Sequence, residues 1–477
     1  MIMIIYGLLV TAAGLFFYRR LHNIDDFILG NRGLNYWVIG LSAQTSLLGG
    51  WIFLGLPSLG FSIGLGGLWV LLGVIAGSLL NWRFIAIRLR VFSTRSENAL
   101  TLPSYFQKRF KSNRIGLRLL ISLLILGSYL IYTAAGLSVA GRVVQLILGV
   151  EYLAALLIVT LLVAGYTVSG GFTAVNWTDV LQSLLILLAA VILPLVTLGQ
   201  LGGGQRALML LQELPDDFLS LTGESMGWIR GVSFFALGFA VLGQPHVVTR
   251  FMAIDEIENI NYASFIGLLW TVAVLLGAFG LGLLGRAYYP GTCPFELEFL
   301  YYQLTTTFFS GFLGDLLKIA FLAALMSTVD SKLMVTVSVF VEDFYKIMIH
   351  REIPSQAQVL MGRITVAIMA LVAFLLALDP GSSLYGLVGL VWVGLGSTLG
   401  PAMVFSLFYW KTTYRGVFSG IAVGGLVLLF WELMLSGGLF DLTGLIPAAL
   451  ITSAVIWQVS KRDTLHHEFE QFSELLK

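Results

Sequence analysis

The chain has 477 residues, of which 58% are hydrophobic and 11% charged, with a mean hydropathy of +0.91. Soluble domains carry about 25% charged residues, so this composition belongs in a bilayer. A net charge of +1 leaves no electrostatic footprint for nucleic acid, and the single cysteine, Cys293, excludes an intrachain disulfide framework.

The first apolar run ends, instead of beginning, with its charges Arg19 and Arg20, and no small-residue cleavage site follows. It therefore reads as a membrane span and not as a signal peptide. Apolar runs of about 18 residues recur along the chain, at roughly 2–18, 36–62, 65–88, 116–147, 152–169, 177–199, 228–250, 261–288, 310–345, 360–378, 383–409, 415–435 and 442–460. The reading is an all-α polytopic membrane protein of about thirteen transmembrane helices.

Basic residues test that topology, because they concentrate in cytoplasmic loops. With the N-terminus outside, only Arg142, Arg206, Arg230, Arg286, Lys318 and Lys332 fail to fall on the inner side; the other 21 of the 27 do. A missed span would invert every later loop, so the sequence predicts an outside N-terminus and a cytoplasmic C-terminus; the expected setting is a bacterial inner (cytoplasmic) membrane. The last segment, 461–477, carries Phe469, Phe472, Leu475 and Leu476 among acids and is expected to be a short amphipathic cytoplasmic helix.

Two spans look broken. The second contains Ser42, Gln44, Thr45, Ser46, Gly49 and Gly50 at mid-membrane, and the seventh contains Gly238, Gly243, Gln244, Pro245 and His246. Proline removes a helix hydrogen bond and glycine weakens the helix. In a membrane the freed backbone groups must line a cavity or be buried in protein. The broken spans stand five apart, as the leading helices of two inverted five-helix repeats would. This predicts repeats at 36–199 and 228–409, with 1–35 and 410–460 peripheral. Kinks in ordinary helices are the alternative.

The ninth span carries Ser327, Thr328, Asp330, Ser331 and Lys332 within six residues. Charges at bilayer depth are costly and mark ion or substrate paths.

The chain resembles the sodium:solute symporters, most closely their sodium/proline branch. The likeness runs through Asp25-Asp-Phe-Ile-Leu-Gly-Asn-Arg32, Gly50-Trp-Ile-Phe-Leu-Gly-Leu-Pro57 and Ala99-Leu-Thr-Leu-Pro-Ser-Tyr-Phe106. It continues through Gly170-Gly-Phe-Thr-Ala-Val-Asn-Trp-Thr-Asp179, Gly243-Gln-Pro-His-Val-Val-Thr-Arg-Phe-Met-Ala253, Ala323-Ala-Leu-Met-Ser-Thr328 and Glu342-Asp-Phe-Tyr-Lys346. The resemblance implies a leucine-transporter-like fold and secondary active, cation-coupled symport of a small organic solute such as proline, another amino acid or a compatible solute. The coupling ion would be sodium. It further implies a sodium site at the Thr45 and Leu48 carbonyls, the Ala324 carbonyl and the Ser327 and Thr328 hydroxyls. Asp179, with hydroxyls near Asp330 and Ser331, matches a second ion position. Residues expected at the solute pocket are Gln44, Gly49, Gly50, Trp51, Tyr132, Pro245 and Trp392.

The chain departs from that pattern at four places. Leu47 stands where proline carriers have an aspartate, Lys332 where relatives carry glutamine, and Leu237 and Val241 where proline carriers have aromatic rings. The pocket wall is thus expected to be more aliphatic. Lys332 lies one helical turn after Thr328. Asp179 is its expected partner; the readings are a structural pair, a change of ion coupling, or snorkelling to the interface. A sodium-independent or proton-linked carrier is the alternative function, and a transport-derived sensor or a membrane enzyme the readings from other classes.

Overall fold

The computed structural model describes residues 2–96, 98–112, 114–215, 217–223, 227–291, 293–345, 354–379, 384–435 and 442–463. The expected amphipathic tail beyond Asp463, and Lys346, lie outside these residues.

Among the described residues all regular structure is helical apart from one isolated bridge, Leu34 to Ile254. Helix α1 (Ile2–Tyr18) precedes the short α2 (Ile24–Leu29), which is closed by a capping box at Asn23 and Asp26. The first broken span follows as α3 (Tyr36–Leu48), capped by Asn35, and α4 (Trp51–Ile63). Next come α5 (Leu68–Leu80), α6 (Ile87–Arg95), α7 (Leu102–Arg109), α8 (Gly116–Leu148), α9 (Tyr152–Gln200) and α10 (Gly204–Gln212). The second broken span is α11 (Gly227–Leu237), a 3-10 turn Gly238–Gly243 and α12 (Pro245–Ala253). The remainder is α13 (Ile260–Tyr288), α14 (Leu300–Phe308), α15 (Gly311–Val339), α16 (Ser355–Leu376), α17 (Leu384–Phe408), α18 (Tyr414–Met434) and α19 (Leu445–Arg462).

Among the described residues, eight helices are long and apolar enough to cross a membrane, and a ninth span is the pair Gly227–Gly243 and Pro245–Ala253, bent by 47°. Two of the eight, of 45 and 49 residues, are each about twice the length that crosses a 30 Å hydrocarbon core. Each contains a glycine at positive φ, Gly64 at +65° and Gly171 at +55°, where the chain leaves the helical path.

Small residues let the helices approach closely, as membrane packing favours. Gly14 of α1 rests on the Tyr166 backbone of α9, Gly40 of α3 on Ala263 of α13, and Gly424 of α18 on Thr452 of α19. Leucine, isoleucine and phenylalanine side chains remain exposed outside, as on Leu161, Leu195 and Phe265. The polar side chains are turned inward: every residue of α15 from Ile319 to Val339 is buried. This inversion places the buried chemistry where α3, α8, α9 and α12 surround α15.

Candidate functional site

The helix break of the first broken span lies directly against α15. Gly49 takes φ +45° and ψ −135°, and its N–H donates to the Thr45 carbonyl at 2.8 Å. The Gly50 N–H, which would continue the helix onto the Ser46 carbonyl, donates to Thr328 Oγ1 at 3.2 Å. Ser46 O is thereby released from the helical ladder. A methyl group on Gly49 would collide with Thr328 Oγ1, so glycine is required here by both conformation and space.

This contact joins three of the five residues expected at a sodium site, Thr45, Ala324 and Thr328, with Leu48 and Ser327 their neighbours in the chain. Ser327 Oγ and Thr328 Oγ1 donate to the Ala324 carbonyl at 2.9 and 3.3 Å, the back-bonds that hydroxyls commonly make in helices. Ser327 Oγ keeps its lone pairs as acceptors, and Thr328 Oγ1, which already accepts from Gly50 N–H, keeps one. Thr45 Oγ1 is fully buried with no hydrogen-bond partner. The donors are neutral oxygens only, which is the set a hard cation takes.

One turn further along α15 the arrangement differs from the sequence expectation. Asp179 does not pair with Lys332: its Oδ2 receives Arg250 NH2 at 2.7 Å, with both side chains at most 1% exposed. The same NH2 donates to Ser331 Oγ at 2.7 Å, Arg250 NH1 to the His246 carbonyl at 2.7 Å, and Nε to Ser42 Oγ at 3.2 Å. Arg250 is therefore no cytoplasmic loop charge, and its guanidinium fills the Asp179–Ser331 position offered for a second ion. The planar fork explains why arginine serves: it reaches α3, α9 and α15 at once. Asp330 accepts from Tyr166 OH at 2.5 Å and from Ser331 Oγ at 3.1 Å.

Lys332 is fully buried, which removes the snorkelling reading. Its Nζ donates to the released Ser46 carbonyl at 3.0 Å, lies 3.3 Å from His246 Nε2 and sits 4.6 Å from the centre of the Tyr132 ring. His246 Nδ1 in turn meets Tyr129 OH at 2.7 Å, so lysine, imidazole and phenol form one buried chain between α15, α12 and α8.

A cavity of about 610 Å³ opens above the break. Trp51, Tyr132, Leu237 and Trp392 line it, with Leu47 and Leu48. Trp392 is held by its Nε1 donating to the Leu237 carbonyl at 3.1 Å. The other expected pocket residues lie elsewhere. Gly49 and Gly50 form the break itself; Pro245 opens α12; Val241 is buried, its carbonyl taken by Asn81 Nδ2 at 3.1 Å. Gln44 packs against Gly267 of α13, with neither amide atom hydrogen-bonded. Sequence reasoning missed Val70, Val74, Val393, Glu432 and Thr443 in the lining. Of these only Glu432 carried a signal, as an acid within an apolar span.

The opposite end of the broken pair is closed. Leu34 N–H donates to the Ala253 carbonyl at 3.3 Å and Asp255 N–H to the Leu34 carbonyl at 3.0 Å. Arg32 NH1 donates to Met252 O at 2.6 Å and NH2 to Ala99 O at 2.8 Å, while Arg90 Nε reaches Ile254 O at 2.8 Å. Both arginines thus meet carbonyls at the C-terminal end of α12, where cations are favoured.

The family model for the sodium:solute symporters matches residues 27–424. The chain is 36% identical to the high-affinity proline transporter PutP of Bacillus subtilis, over 90% of each chain. It is 32% identical to the sodium/proline symporter of Escherichia coli, over 96% of this chain and 93% of that one. A solved Na+-coupled sialic acid symporter in a substrate-bound, outward-open state superposes with a TM-score of 0.83 at 18% identity, covering 96% of both chains. Mhp1, a nucleobase-cation-symport-1 family transporter, gives 0.60 at 16% identity, over 94% of this chain and 97% of the other. The last two likenesses concern the fold, which is that of the leucine-transporter class.

Proposed function

Because the chain belongs to the sodium:solute symporter family, we propose that it couples inward movement of sodium to uptake of a small amino-acid-like solute, proline or a near relative. The observation that carries the reading is the break at Gly49–Gly50: it lies against Ala324, Leu325 and Thr328, and its neighbours Leu47, Leu48 and Trp51 line a cavity of about 610 Å³. An ion held by the Thr45, Leu48 and Ala324 carbonyls and the two hydroxyls would tie α3 to α15. Solute in the cavity above would then bind to a helix pair already brought together, which is how two sites gain a coupling free energy.

In this reading the chain crosses a bacterial inner membrane about thirteen times, with its N-terminus outside. The broken spans lead two inverted repeats, 36–199 and 228–409, and alternating access comes from one repeat rocking against the other. The open cavity and the closed Arg32–Met252 end correspond to an outward-facing state. The wall supplied by Trp51, Tyr132 and Trp392 suits an apolar or ring-bearing body, while Leu237 leaves it more aliphatic than the proline carriers' wall.

The test is uptake of a labelled amino-acid panel, proline included, into proteoliposomes with and without an inward sodium gradient. Accumulation driven by sodium for at least one solute is expected. Transport that no sodium gradient stimulates, for any solute, overturns the proposal.

A further inference from the structure

Five polar or charged side chains at the centre of the bundle belong to no part of the sodium site: Lys332, Arg250, Asp179, Asp330 and His246. They are all buried, between 0 and 1% exposed. Arg250 and Asp179 pair directly, and Asp330 is held by Tyr166 and Ser331. Among the described residues Lys332 has no carboxylate at hydrogen-bond distance; its ammonium is spent on the Ser46 carbonyl, the His246 ring and the face of Tyr132.

The Ser46 carbonyl is the informative partner. It is free because Gly50 N–H has gone to Thr328 Oγ1. Carbonyls released at a broken membrane helix are groups that coupling cations coordinate. Lys332 serves this one with a cation fixed to α15. The same contact joins the same two elements, α3 and α15, that the proposed sodium would join through Thr45, Ala324 and Thr328. In their charged forms the four buried ionic groups balance, two cations against two carboxylates. A sodium ion entering nearby therefore adds an uncompensated positive charge, in a region where low dielectric strengthens repulsion.

We propose that the Lys332 ammonium is a built-in cation of the coupling centre: it holds α3 on α15 at Ser46 as a bound ion would, and its charge sets the carrier's affinity for sodium. This deepens the reading of the site as sodium-coupled and rests on it. Lys332 acts here as a positioning residue, since it does not line the cavity and meets its wall through the Tyr132 ring.

The test measures binding of labelled sodium alone to the purified full-length chain, so that it does not depend on knowing the solute. The variants are Lys332→Gln, Lys332→Met and Lys332→Arg, each checked for monodispersity and thermal unfolding. Sodium is expected to bind at least tenfold more tightly to the Gln and Met variants than to wild type, and with wild-type affinity to the Arg variant. A merely structural lysine would give weaker or unchanged sodium binding when removed. Equal or weaker sodium binding in whichever of Gln or Met folds overturns the proposal. Failure of the transport reading would appear separately, as uptake in the wild type that ignores a sodium gradient.

Discussion

The Lys332 ammonium donates to the Ser46 carbonyl at 3.0 Å, joining the centre of α15 to a helix that breaks three residues later. That contact depends on the break being made by glycine. At Gly49 any other residue would take φ +45° and ψ −135°, a conformation costing about 1–3 kcal/mol, and its Cβ would meet Thr328 Oγ1. Gly49→Ala is therefore expected to reduce solute uptake at least tenfold while leaving the chain folded. Proteoliposome uptake beside a thermal unfolding scan checks this; wild-type uptake would show that α3 does not need its present path.

The Asp179–Arg250 pair predicts a larger structural effect. Removing one member of a buried pair leaves the other charge uncompensated, at a cost of about 3–5 kcal/mol. Asp179→Asn should lower the unfolding temperature clearly, and more than Asp330→Asn. Arg250→Lys should resemble it, since one ammonium cannot reach Asp179, Ser331, Ser42 and His246 O together.

Arg32 predicts where the closed end opens. It ties Met252 O, Ala99 O, Ser93 Oγ and Asn98 Oδ1 to one guanidinium. In a Cys293→Ser background, a cysteine introduced by Met252→Cys is expected to be inert to a hydrophilic maleimide, because Met252 is fully buried. Adding Arg32→Ala should make it reactive. Unchanged protection would mean that the Leu34–Ile254 bridge closes this end without Arg32.

Much of this architecture was legible in the sequence, for stated physical reasons. Glycine and proline in apolar runs marked both broken spans, because no other residues interrupt a membrane helix so cheaply. Hydroxyls at Ser327 and Thr328 marked the facing surface. What failed was partner choice. Opposite charge alone points Lys332 to Asp179, and Arg250, which closes an apolar run, looks in the sequence like a loop cation. Pairing of residues 71 positions apart is set by how α9 and α12 cross, and no spacing rule reaches that far. Cavity residues on α5, α17 and α18 were missed for the same reason: Val70, Val74 and Val393 look like any lipid-facing valine until the helices are packed.

The cavity wall gives a specificity prediction. Leu237 lines the cavity next to Trp392, whose indole it fixes through its carbonyl. Leu237→Phe narrows the space without touching the helix break. Differences of a methylene or a ring in such pockets are worth about 1–3 kcal/mol. Proline is expected to gain about tenfold over a bulkier competing amino acid in uptake competition. Parallel loss or gain for both would place Leu237 outside the solute's contact surface.

The most direct measurement is labelled-sodium uptake into proteoliposomes, with and without the transported solute, for the wild type and for Ser327→Ala with Thr328→Ala. Solute should stimulate sodium entry in the wild type, and the double variant should lose that stimulation. Solute uptake unaccompanied by any sodium entry in the wild type would contradict the account.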